Sequence, residues 1–241
     1  MKKINRSKIV IIFSFLLIVI IALYTVLNSD MLNSKNIQIK GNKYVKSDDI
    51  IKILDVKDDK NIFRYNIKSM ETILLSNKYI DKVKIKRILP NTLNINIIEK
   101  QIIANLYNEK EYSYIDSDGN FIDKVNEYNK DKNIVTVYID YELTNKQDII
   151  FKNEEDRKNL LYLLKYIRKE SIYKKIDSID MTKNKTLNMY TKDDTTILLN
   201  INKDLEYNIS RLGIILSDLQ NKKQKGGEID LSVGKYALYR P

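Results

Sequence analysis

Apolar and polar positions follow three rhythms along the chain. From Ile9 to Leu27, IVIIFSFLLIVIIALYTVL, no charge interrupts an apolar run. At about 1.5 Å per helical residue the run spans roughly 28 Å, the thickness of a bilayer's hydrocarbon layer. It is longer than the apolar part of a typical signal peptide, and no small-x-small cleavage site follows Ala22, so it reads as an anchor.

After a short polar linker the rhythm changes to alternation. In NIQIKGN, Ile37 and Ile39 alternate with Gln38 and Lys40 until Gly41-Asn42 ends the strand. KSDDIIKIL then predicts a helix capped by Ser47, with Asp48 and Asp49 at its positive end and Ile50, Ile51 and Leu54 on one face. A second short helix is expected within NIFRYNIKSMETILLSN, capped by Ser69, with Met70, Ile73 and Leu74 inward. Two strands follow. Val83 and Ile85 alternate with lysines, then Leu93, Ile95 and Ile97 alternate with Thr92, Asn94 and Asn96. Pro90, one of two prolines in the chain, fixes φ and lacks an N–H. It therefore belongs in the Leu89-Pro90-Asn91 loop joining the strands. The expected unit is strand, helix, helix, strand, strand, with both helices on one face of a three-stranded sheet.

Beyond Ile102 strands dominate. SYIDSDGNFID predicts a hairpin turning at Ser117 to Asn120. Its Asp116-x-Asp118-Gly piece lacks the further ligands and distal glutamate of a calcium loop, so it reads as a plain turn. IVTVYID (134–140) predicts a strand. NEEDRKNLLYLLKYIRKE predicts a helix capped by Asn153, with acids leading, bases trailing, and Leu160, Leu161, Leu164 and Ile167 sharing a face. Strands are expected at Ile176 to Met181, Leu187 to Thr191 and Thr196 to Ile201. A helix follows from Asp204 to Leu219 with Leu205, Ile209, Leu212, Leu216 and Leu219 inward, then two last strands, GEIDLSV and KYALYRP.

Charge orients the anchor. Lys2, Lys3, Arg6 and Lys8 precede it, whereas Asp30 follows and the next base is Lys35. The positive-inside rule puts the N-terminus in the cytoplasm and the remainder outside, away from nucleic acid and nucleotides. The net charge of +10 fits anionic head groups or wall polymers, or a solvated surface of mixed charges. There is no cysteine and no histidine, which excludes cysteine-type zinc sites, thiol chemistry and histidine acid–base chemistry. Two Ser-x-x-Lys pairs, Ser171/Lys174 and Ser232/Lys235, are expected by chance in so lysine-rich a chain, and Lys-Thr-Gly is absent. Neither catalysis nor a cofactor is expected.

IQIKGNKYVKSDDI and NKYIDKVKIKRILPNTLNINIIEKQIIA resemble the POTRA domain of the bacterial division proteins FtsQ and DivIB. Gly41, Asn42, Arg87, Pro90, Leu93, Ile95, Ile97 and Glu99 match the family pattern, with Ile102 where the family often has proline. YIDSDG, the late helix and EIDL before a final strand resemble the family's second outer domain. The resemblance implies an α+β chain: a cytoplasmic tail (1–8), a transmembrane helix (9–27), a linker (28–34), a POTRA-like βααββ domain (35–101) and a β-rich domain with two amphipathic helices (102–241).

It further implies a non-enzymatic divisome scaffold at the division septum. Such a scaffold binds DivIC/FtsB and FtsL outside the cell and indirectly helps recruit or regulate the septal peptidoglycan synthase complex, with a second contact from the POTRA-like domain. Carried over by position, the partner-binding residues are Lys203, Ile229, Leu231, Tyr236, Ala237, Leu238 and Tyr239. A terminal strand at a sheet edge suits that task, because its open ladder can accept a partner's strand. The alternative is an anchored module that binds wall polymer or assists envelope assembly.

Overall fold

A computed structural model of the chain describes residues 6–126, 131, 133–145, 148–183, 186–201, 204–233 and 236–241. Two compact units result, Met1–Lys100 and Gln101–Pro241. The first unit opens with helix α1 (Arg6–Leu27). Its Lys8–Leu27 portion is long and apolar enough to cross a membrane, and none of it is buried in protein.

The rest of the first unit runs β1 (Asn36–Lys40), α2 (Ser47–Leu54), α3 (Ile67–Leu75), β2 (Ile80–Ile88) and β3 (Thr92–Glu99). This is the βααββ order expected from the alternation. The sheet order is β1-β3-β2, with β3 parallel to β1 and antiparallel to β2. Ile85, Leu93, Ile95 and Ile97 face Ile50, Leu54, Met70 and Leu74 in one buried cluster. Lys84 and Lys86 lie on the opposite, exposed face.

Three local expectations are corrected. Ser47 is the first helical residue and not the cap. Lys46 takes the extended cap conformation, while Ser47 Oγ accepts a hydrogen bond from Asn42 Nδ2 (3.2 Å). Ser69 is likewise inside its helix, and Asn66 caps it by accepting from the Ser69 N–H at 3.2 Å. Ile73 is exposed, because α3 turns only Met70 and Leu74 fully inward. The linker 28–34 is tied to the first unit: Leu32 and Ser34 are buried, Ser34 Oγ donates to Lys57 O (2.7 Å), and Ser34 N donates to Lys60 O (3.0 Å).

The second unit contains β4 (Ala104–Tyr107), β5 (Tyr112–Ile115), β6 (Phe121–Val125), β7 (Thr136–Tyr138), β8 (Tyr141–Leu143), β9 (Ile149–Phe151), α4 (Glu154–Lys169), β10 (Ile176–Asp180), β11 (Thr186–Thr191), β12 (Thr196–Asn200), α5 (Leu205–Asn221), β13 (Glu228–Asp230) and β14 (Leu238–Arg240). Nine strands form one mixed sheet in the order β14-β13-β12-β11-β10-β7-β4-β5-β6, and β8 pairs with β9 separately.

Three pairings are parallel and need crossovers: α4 lies in the connection from β7 to β10, α5 in that from β12 to β13, and the strands β5 and β6 in that from β4 to β7. Both helices bury their apolar faces against the same side of the sheet, against Ile176, Ile179, Leu187, Met189, Ile197 and Leu199. In α4 the inward residues are Leu160, Leu163, Leu164, Tyr166 and Ile167, with Leu161 only half-buried. Leu163 joins the expected stripe, and Leu161 packs at its margin, because the helix presents a wide apolar face to both sheet and α5. Asn153 caps α4 as expected, accepting from the Glu155 N–H at 2.9 Å.

Candidate partner-binding edge

β14 is the terminal strand of the nine-stranded sheet and pairs on one side only, with β13. The register is antiparallel, Glu228 opposite Arg240, Ile229 opposite Tyr239 and Asp230 opposite Leu238. Gly226 and Gly227 make this return possible. Both have positive φ, and a Cβ on Gly227 would lie 2.4 Å from Arg240 O. A salt bridge between Arg240 and Glu228 joins the two strands at their open end. Tyr239 leans over the core, and its hydroxyl donates to Gly226 O at 3.2 Å.

The residues expected to meet a partner therefore divide. Tyr236 is 82% exposed and Leu238 is 50% exposed. Ala237 is exposed beside them, whereas Tyr239 is half-buried. Ile229 and Leu231 are corrected: both are core residues packed under the helices, because β13 has β12 on one side and β14 on the other. Their contribution is to hold β14 in place. Lys203 lies outside the described residues. The exposed Val233, in the connection from β13 to β14, adds an apolar side chain that the periodicity did not single out. A regular strand would turn it inward like Ile229 and Leu231, and the bend at 232–233 leaves it exposed.

The chain leaves β12 and β13 at the same end of the sheet, since the two run parallel. The start of α5 and the approach to β14 therefore share that end.

Polar motifs that the sequence offers elsewhere make local contacts. Asp116 accepts from the Asp118 and Asn120 N–H groups at 3.0 and 2.9 Å, which closes the hairpin turn. No cluster of metal-binding side chains occurs among the described residues. Ser232 Oγ donates to Asp230 Oδ1 at 2.6 Å, and Lys235 lies outside the described residues. In a polar hollow at the start of α4, Lys152 pairs with Asp140 at 3.2 Å, and burial raises the Asp156 carboxyl above its usual range.

Two family models match this architecture. An FtsQ-type POTRA domain covers residues 32–100, and the C-terminal domain of cell division protein FtsQ/DivIB covers residues 104–232. The chain belongs to the FtsQ/DivIB family of cell division proteins.

Relatives within the family extend the match. Cell division protein DivIB of Clostridium tetani is 27% identical over 202 residues, covering 83% of this chain and 76% of that protein. DivIB of Staphylococcus pseudintermedius is 28% identical over 205 residues, covering 83% of this chain and 65% of that protein. A solved structure of the major extracytoplasmic domain of DivIB from Geobacillus stearothermophilus, in its trans isomer, aligns over 51% of this chain and 96% of that one. Its TM-score is 0.36 and its identity 11%.

The family's POTRA motif residues have visible tasks here. Arg87 donates from Nε to Ile62 O (2.7 Å) and from Nη2 to Tyr65 O (2.6 Å). Glu99 accepts from the Tyr44 N–H (2.9 and 3.0 Å) and the Val45 N–H (2.9 Å).

Proposed function

We propose that this FtsQ/DivIB-family protein is a non-enzymatic division scaffold. It is held by α1 with its N-terminus in the cytoplasm and both folded units outside, and it acts at the septum. Strand β14 docks the outer segments of DivIC/FtsB, paired with FtsL, and through them the septal peptidoglycan synthase complex is recruited or restrained. The observation that carries this reading is an edge strand with one unpaired side, flanked by exposed Tyr236 and Leu238. Backbone ladder groups on such an edge supply affinity, and alternate side chains supply specificity. Tyrosine adds wide contact area with a polar tip. The basic residues before the apolar run and the acidic Asp30 after it support the orientation.

The test is a pull-down of DivIC and FtsL by the full chain. Tyr236→Lys with Leu238→Lys is preferable to deleting residues 233–241, because deletion would also remove Tyr239 from over the core. Loss of capture, with circular dichroism unchanged, is expected. Undiminished capture by the double variant would exclude β14 as the docking strand.

A further inference from the structure

Outside α1, the exposed large apolar side chains of the first unit include Met31 (55%), Phe63 (48%), Ile88 (44%) and Leu89 (64%). They are far apart in sequence, yet the structure gathers their segments at one end of the unit, where α1 enters. Asn61 Nδ2 donates to Leu27 O, the last carbonyl of α1, at 2.6 Å. Arg64 Nη2 donates to Asn28 Oδ1 at 3.4 Å, and Asn33 bridges Asn61 through the backbone. The 61–64 turn is thereby tied to the end of the apolar helix.

The β2–β3 hairpin tip is tied to the same place. Asn36 N donates to Asn91 O at 3.3 Å, and Asn36 Nδ2 donates to Asn91 Oδ1 at 3.2 Å. The Arg87 guanidinium lies 5.7 Å from the centre of the Phe63 ring while it holds Ile62 O and Tyr65 O. Both β1 and β3 run away from this end.

We propose that this end of the POTRA-type domain is a membrane-seating surface, with Met31, Phe63, Ile88 and Leu89 resting in the outer leaflet's interfacial region. The occupant is lipid because the surface continues the membrane helix itself. If α1 spans the bilayer, its last turn lies at the interface, and the turn bonded to Leu27 O is held at that depth. Aromatic and aliphatic side chains gain free energy there by leaving water. The segments that carry the patch hold Lys35, Lys57, Lys60, Arg64, Lys86 and Arg87 against Asp30, Asp58 and Asp59, a basic excess that suits lipid headgroups, while the apolar side chains themselves need no anionic lipid. The seating would hold the first unit at the membrane through two attachments, the helix and the patch, instead of one.

This inference rests on α1 being a membrane anchor, and the experiment separates the two. The chain contains no tryptophan, so one introduced tryptophan reports one position. The full chain, carrying Ile18→Trp, Phe63→Trp, Leu89→Trp or Ile214→Trp singly, is reconstituted in phosphatidylcholine vesicles with or without brominated acyl chains. Leu89 is at an exposed loop tip and Ile214 is exposed on α5, so neither change disturbs a core.

Residues seated about 5–10 Å into the interface should be quenched about twofold or more by bromolipid and shielded from aqueous iodide, at 63 and 89 as at 18. Position 214 should behave oppositely. Quenching at 18 alone, with 63 and 89 as open to iodide as 214, overturns the seating and leaves the anchor standing. No quenching at 18 overturns the anchor and the seating with it. Shielding from iodide at 63 and 89 without bromolipid quenching means that protein covers the patch, and it also overturns the proposal.

Discussion

At Gly41 the chain passes so close to β3 that a Cβ would lie 2.0 Å from Ile97 O, and φ is +87°. The motif glycine that ends β1 is therefore a steric requirement. Gly41→Ala is expected to destabilise the first unit by about 2 kcal/mol or more, from backbone strain and displaced ladder bonds. Urea titration read by hydrogen exchange at Ile95 and Ile97 checks it, and unchanged protection would show that the strand end can yield. Glu99 joins two backbone N–H groups of the β1–α2 connection to the end of β3. Glu99→Ala leaves those donors without their charged acceptor and is expected to cost about 2 kcal/mol, measurable in the same titration. Both residues were conspicuous in the sequence as motif positions. What they touch was not, because Ile97 and Tyr44 are brought to them only by long-range pairing.

Among the elements, α4 and α5 are joined by a polar clamp that no sequence pattern marked. The Tyr166 hydroxyl donates to Glu206 Oε2 at 2.8 Å, and Lys169 Nζ donates to Glu206 Oε1 at 3.0 Å. These two bonds, the tyrosine's first, hold the Glu206 carboxyl below its usual range. A depressed carboxyl stabilises the fold fully above its unfolded-state pKa, and that contribution is lost as pH falls through the folded value. Tyr166→Phe is expected to move the Glu206 titration back up toward the ordinary range by carbon NMR, and to shrink the loss of stability linked to it on the acid side. A titration that stays put would remove Tyr166 from the clamp. At the sheet edge, Gly227→Ala would drive β14 off β13 by its contact with Arg240 O. Expected results are faster amide exchange across the β13–β14 ladder and, on the proposed docking role of β14, weaker capture of DivIC, with the β10–β12 ladder unchanged. Ladder exchange at the wild-type rate would show that the strand accommodates a Cβ there.

At the scale of the molecule, two cores share no residue: one is built on Ile50, Leu74 and Ile95, the other on Leu160, Leu163 and Met189. Ile95→Ala should destabilise the first unit by about 2–5 kcal/mol and Leu163→Ala the second by a similar amount, through lost burial and an unfilled cavity. Hydrogen exchange resolved by residue should show each change confined to its own unit, and the double variant should be additive within about 0.5 kcal/mol. Spread of the Ile95→Ala effect into β10 to β12 would mean that the two cores are energetically coupled.

The sequence alone determined the membrane-length helix, the βααββ order of the first unit, the amphipathic α4 and α5, the Asn153 cap and the family. These depend on local spacing, and local spacing is written in consecutive residues. Tertiary structure decided what depends on neighbours distant in sequence. It set the β1-β3-β2 order and the placing of β7 between β4 and β10. It put Ile229 and Leu231 in the core and left Tyr236 and Leu238 outside, although all four belong to short apolar runs near the C-terminus. It also drew Phe63, Leu89 and Leu27 to one end of a unit, by hydrogen bonds between loops that alternation cannot register. Periodicity tells which side of an element is apolar; only the assembled fold decides whether that side meets protein, lipid or a partner.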